Sequence, residues 1–178
     1  MHKSFWLIAA FLMASCQSGT APPSQPDLLE HSPYSAWPSV TEQPVQVGAD
    51  VWVLCRGPTP EEAAKYKLHG PHASYSIIVR VNPEAIALFR DGSELPTGSV
   101  VVKEKYVGIP PSATLPGYAV MTKREAGYFP EGGDWEYEFV ALVPERKETR
   151  GRLANCAACH ASAKEHDFLF RSYGDKLP

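Results

Sequence analysis

The sequence predicts an α+β fold, mainly antiparallel β-sheet with a few short helices, one of which carries the Cys156-Ala157-Ala158-Cys159-His160 motif. Three observations predict it. Runs rich in β-branched and aromatic residues recur at 74–81, 99–107, 118–123 and 135–143, giving at least four strands. The connections between them are short and rich in turn formers, which suits antiparallel neighbours. Helical signals occupy separate short stretches, so helices and sheet are segregated.

The chain begins with an export signal. A basic start (His2, Lys3) precedes an apolar run from Phe5 to Met13, far shorter than the ~20 residues that cross a bilayer. Met13-Ala14-Ser15-Cys16 looks like a bacterial lipobox, which implies cleavage before Cys16 and acylation of its thiol, a stable membrane anchor. Gln17 resembles the outer-membrane sorting pattern, so the expected location is the bacterial cell envelope, lipid-anchored and facing the periplasm, at the outer rather than the inner membrane. Residues 1–15 are thus a lipoprotein signal peptide and 16–46 a tether, with Pro22, Pro23, Pro26, Pro33, Pro38 and Pro44 among Ser, Gln and Thr. Removing Lys3 moves the formal charge from −3 to −4, and no basic patch points to a nucleic-acid partner.

Residues 47–178 are large enough to bury one core. Val51-Trp52-Val53-Leu54-Cys55 reads as a short buried strand. Thr59-Pro60-Glu61-Glu62 supplies an N-cap, a first-turn proline and a capping-box glutamate for a helix to about Tyr66. Asn82-Pro83-Glu84 opens a second helix that stops near Arg90, before Asp91-Gly92. Pro96-Thr97-Gly98 then turns the chain into the strand 99–107. Alternation puts Val101, Lys103, Lys105 and Val107 on one face of it and Val100, Val102, Glu104 and Tyr106 on the other. In the strand 135–143, Trp135, Tyr137 and Phe139 share one face, with Glu136 and Glu138 on a solvated acidic face opposite.

The chemistry converges on Cys156-Ala157-Ala158-Cys159-His160. Two cysteines three apart followed by histidine is the attachment signature of a c-type haem, the thiols adding to the vinyl groups and the imidazole binding iron. On a helix all three side chains share a face. Four cysteines and six histidines scattered over 178 residues would produce this pattern about 0.003 times by chance. A zinc site would need two more ligands, and a redox dithiol would sit near an early βαβ unit. One haem c, held through Cys156 and Cys159 with His160 as proximal iron ligand, is the expected cofactor. Cys55 is left over, either a buried inert thiol or half of an intermolecular disulfide.

The segments Leu95-Pro96-Thr97-Gly98-Ser99-Val100-Val101-Val102-Lys103-Glu104, Gly133-Asp134-Trp135-Glu136-Tyr137, the haem motif and Asp167-Phe168-Leu169-Phe170 come in the order seen in the cytochrome P-460 family. The approach through Phe89-Arg90-Asp91-Gly92 also resembles that family, and the likeness spans roughly 75–173. It implies a small sheet-rich protein, commonly a homodimer, with one c-type haem. In the members that oxidise hydroxylamine, the strand lysine is bonded to the porphyrin edge, and the matching residue is Lys103. The β-type cytochromes c′ are similar in fold, lack that bond and bind nitric oxide. Read from the residues alone, a strand lysine beside Lys105 is a solvated side chain. Attack on an oxidised porphyrin needs an unprotonated amine, which burial favours.

The distal side offers several candidates. Met121, His69 and His72 are available sixth ligands, although Met121 suits core filling and His69-Gly70-Pro71-His72 an exposed turn. Glu104, Glu131 and Asp134 are carboxylates available to take a substrate proton. Phe89 and Phe129 could instead wall an apolar gas pocket, or simply fill core. Three functions follow. The first is hydroxylamine oxidation at a lysine-crosslinked haem, with electrons passed to a soluble cytochrome. The others are binding of nitric oxide or a related gas at an open site, and simple electron transfer with a sixth protein ligand.

Overall fold

The computed structural model describes residues 34–53, 61, 75–142 and 144–173. The lipobox with Cys16, the expected helix to Tyr66 apart from Glu61, which is helical, and Cys55, His69 and His72 lie outside them. Its frame is an antiparallel sheet of six strands in sequential order: β1 (Val45–Val47), β2 (Tyr75–Val81), β3 (Val100–Val107), β4 (Thr114–Lys123), β5 (Trp135–Ala141) and β6 (Lys147–Gly151). Around it stand, among the elements fully described, three short α-helices, α1 (Ala49–Trp52), α2 (Ile86–Asp91) and α3 (Ala154–His160), the last running into a 3-10 turn, Ala161–His166. The α+β prediction, mainly antiparallel sheet, holds. Among the described residues no helix is long and apolar enough to cross a membrane.

The expected strand at 51–55 is instead the helical turn α1 as far as Trp52, closed by Trp52 N–H to Gly48 O at 2.8 Å. An apolar run this short fits either geometry, and burial of Val51 against the core decides it. Two strands carry no alternating pattern of their own. β1 is three residues, and β6 (Lys-Glu-Thr-Arg-Gly) is polar throughout, formed because it satisfies the free edge of β5. Residues 34–46, the end of the expected tether, lie on the sheet: Val40 N–H donates to Val79 O, and Arg80 reaches Trp37 O at 2.9 Å.

Register lays side chains in rows across the strands. One row runs Val79, Lys103, Ala119, Phe139, Thr149, and the next Val81, Val101, Met121, Tyr137. Together with Trp135 this face packs under Phe89, Ala157, Phe168, Leu169 and Tyr173. The opposite face holds Val100, Val102, Tyr118, Val120 and Val140 beneath Tyr34, Trp37 and Leu142. Both faces of β3 are therefore covered, and its residues from Val100 to Lys105 are all buried.

The acidic side of β5 is correspondingly not a solvated face. Glu138 is buried, and Glu136 binds the guanidinium groups of Arg124 and Arg150. Glu104 is 3% exposed and pairs with Arg80 Nε at 3.1 Å. A sheet covered on both sides must pair its charges, because an unpaired buried charge is costly.

Candidate haem site

α3 brings the motif together. Cys156 and Cys159 lie one helical turn apart, neither in a disulfide, Cys156 half-buried and Cys159 exposed. His160, one residue further on, is 4% exposed. Its Nδ1 lies 2.6 Å from Phe168 O. A carbonyl can only accept, so Nδ1 carries the proton and Nε2 keeps a bare lone pair, the form that binds a metal. Burial pushes the His160 pKa down, and the nearby Lys103 charge adds to this against the opposing bond to Phe168. The ring is flanked by Tyr137 and Phe170 at centroid distances of 5.3 and 5.0 Å.

The Phe168 carbonyl is aimed by an irregular turn. Asp167 and Phe168 both have φ of 60°, in the left-handed region that a phenylalanine rarely adopts. Gly133 makes the turn possible, since a Cβ there would collide with the Phe168 ring.

Beside His160 opens a cavity of about 360 Å³, walled by Lys103, Met121, Tyr137, Cys156, Leu169 and Tyr173 among others. Its size lies within the usual range of small-molecule sites. A half-buried thiol, a second thiol on the same helix face, a neutral imidazole with a free Nε2 and an apolar wall fit a covalently held haem. Residues that would hold it are therefore present and converge.

Lys103 lies on this cavity and is 5% exposed, so the solvated reading does not hold. It faces His160 from the sheet because the even alternation of β3 turns Lys103 and Lys105 to the covered side. Lys105 is held there too, its ammonium donating to Val53 O at 3.3 Å and standing 5.5 Å from the Phe139 ring centroid.

The distal candidates separate. Met121 lines the cavity. Glu104 points to the other side of the sheet, bonded to Arg80. Asp134 spends its carboxylate on the backbone N–H groups of Gly127 and Phe129, and Glu131 is exposed on the 3-10 turn Pro130–Gly132. Phe89 packs in the core beneath the Arg171 guanidinium, and Phe129 against Gly132. Neither is among the cavity-lining residues. Glu138 borders the cavity, but its row, Val102, Val120, Glu138 and Arg150, turns to the far face of the sheet, where Arg150 is its ion-pair partner at 3.8 Å. The Asp167-Phe168-Leu169-Phe170 segment brings Phe170 to the cavity, whereas the cavity roles of Tyr173 and Lys105 carry no motif in the sequence that would have announced them.

No curated protein matches the chain. The family model described as cytochrome P460 matches residues 62–171, which contain Lys103, the whole of α3 and the Phe168 turn. With that match over more than half of its length, the chain belongs to the cytochrome P460 family and is a c-type haem cytochrome.

Proposed function

We propose that the chain is a periplasm-facing lipoprotein with one haem c, bonded through Cys156 and Cys159, ligated by His160 and crosslinked to Lys103, and that it oxidises hydroxylamine. The single observation that carries this reading is the burial of Lys103 on the same cavity as Cys156 and His160. The haem would supply the redox-active iron that binds the substrate nitrogen and accepts its electrons. The chain's own residues do the rest. His160 offers Nε2 because its Nδ1 proton is committed to Phe168 O. Val101 and Met121, both buried, give the sheet side of the cavity an apolar lining beside Lys103. Each electron taken from hydroxylamine is matched by a proton released to solvent, and the electrons pass to a soluble cytochrome.

A second reading has its own support. With the side chains of Glu104 and Glu138 both turned to the far face, no carboxylate among the described residues points into the cavity, which suits an uncharged diatomic ligand such as nitric oxide.

The optical spectrum of the holoprotein separates these. A strongly red-shifted ferrous Soret band, a tryptic haem peptide that includes Lys103, and reduction of an added cytochrome by hydroxylamine support the enzyme. An ordinary five-coordinate spectrum that changes only with nitric oxide supports the gas binder. A low-spin spectrum indifferent to added ligands would instead make it an electron carrier, with Met121 the sixth ligand to test. The anchor is tested by feeding cells a palmitate analogue, where label that survives Cys16→Ala refutes it.

A further inference from the structure

Asp167 stands one residue before the carbonyl that holds His160, and four contacts fix it. Its Oδ1 pairs with the Lys123 ammonium at 2.5 Å, both side chains more than nine-tenths buried. Its Oδ2 accepts Leu95 N–H at 2.9 Å, and its own carbonyl accepts the Trp135 indole N–H at 2.9 Å. The Asp167 N–H closes the preceding turn on Lys164 O. Lys123 is in turn stacked over Trp135, 5.1 Å from the ring centroid. None of these contacts touches the cavity directly.

Their joint effect is on backbone geometry. Two successive residues at φ of 60° are held only where surroundings over-determine them. Here the clamp on Asp167 comes from β4, β5 and the loop before β3, three segments of the rigid sheet frame. The Phe168 ring, seated over Gly133, fixes the next residue of the turn. With both residues held, the Phe168 carbonyl that follows them points at His160 Nδ1.

Building on the haem-ligand reading of His160, we infer that Asp167, through its buried pair with Lys123, is a positioning residue that aims the Phe168 carbonyl at His160 and so sets how strongly Nε2 donates to iron. A shorter, better-aimed bond to the Nδ1 proton makes the imidazole more basic and the iron harder to reduce. Loosening the turn has the reverse effect.

The test compares holoproteins carrying Asp167→Asn, Asp167→Ala and the double change Lys123→Met with Asp167→Asn, which leaves no buried unpaired cation if the single variants fold poorly. Glu104→Leu, a destabilised variant on the opposite face of the sheet, is the control. Two readouts are used: the ferrous iron–histidine stretching frequency by resonance Raman, and the haem midpoint potential. The expected result is a lower stretching frequency and a more positive potential in every Asp167 variant, with neither shifted in Glu104→Leu. Asp167 variants that lose stability but keep the wild-type frequency and potential overturn the inference, since a merely structural role would do that. A wild-type protein without histidine-ligated haem overturns the site reading itself, and the inference with it.

Discussion

Replacing Gly133 by alanine tests whether the ring of Phe168 is held as tightly as the geometry requires. An alanine Cβ on Gly133 falls 2.6 Å from Phe168 Cε2 and 2.9 Å from Cγ, and closer still to Cδ2. Real carbon contacts lie about 3.5–4.0 Å apart, so the ring must retreat by roughly 1 Å. Gly133 also has φ of 69°, which costs a residue with a Cβ about 1–2 kcal/mol. Overpacking a well-filled site adds about 1–3 kcal/mol, for a total of about 2–5 kcal/mol. Gly127 is the internal control, because it has φ of 86° and nothing within 4 Å of its Cβ position. Gly127→Ala should lose the conformational part alone. Urea unfolding of both variants therefore predicts a difference of about 1–3 kcal/mol between them. Equal losses in the two variants would refute the claim that the Phe168 ring seats on Gly133, and with it one anchor of the His160 hydrogen bond.

The remaining predictions concern charge and attachment. Glu104→Leu leaves Arg80 without its carboxylate, and should lose about 3 kcal/mol, the lower end of the range for a buried pair because Arg80 is partly exposed. Adding Arg80→Met should restore most of it, and a double-mutant cycle in urea that shows no coupling would refute the pairing. Around Glu136, burial would raise the carboxyl pKa, but hydrogen bonds from Arg150 and Arg124 outweigh it and the net shift is downward. A depressed carboxylate stabilises the fold above its unfolded pKa of 4.5. That contribution drains away as pH falls through the folded value, by up to about 1.4 kcal/mol per pH unit. Wild type should therefore lose stability more steeply than Glu136→Gln below that point, and parallel pH curves would contradict the assignment. Cys156→Ala or Cys159→Ala alone should leave haem that resists acid-acetone extraction, and with the Lys103 bond in place so should the double variant, whereas adding Lys103→Met to the double variant should release it. Haem released already from the double variant would refute the Lys103 crosslink, and haem retained by the triple variant would mean attachment elsewhere.

Much of this molecule is legible in the sequence. The run Tyr75–Val81 and those of β3 and β5 read as strands because each buries β-branched or aromatic residues at a spacing of two, a local property. Asp91-Gly92 stops α2 as expected, with Gly92 left-handed at its end. The convergence of Cys156, Cys159 and His160 is likewise local, since helical spacing alone puts them on one face. What failed was any statement about what covers a face. Alternation separates Lys103 from Glu104, yet it cannot tell which side meets α3 and which meets the strap bearing Tyr34 and Trp37. Lys103, Glu104 and Glu138 read as solvated or available charges, and all three are buried, because packing partners far away in sequence close both sides of the sheet.

The same physical reason governs the smallest elements and the deepest contacts. β6 has no apolar pattern and exists because β5 has an edge to pair. The pair Lys123–Asp167 joins residues 44 positions apart, and nothing near either residue foretells it. Interactions within a few residues are enough to set strands β2 to β5 and the shared face of Cys156, Cys159 and His160. The packing of distant segments is what makes Lys103 share a cavity with His160, turns Glu104 away from it, and holds the imidazole on a strained turn. Those are matters of which surfaces meet, and burial is a property of the assembled layers rather than of any segment.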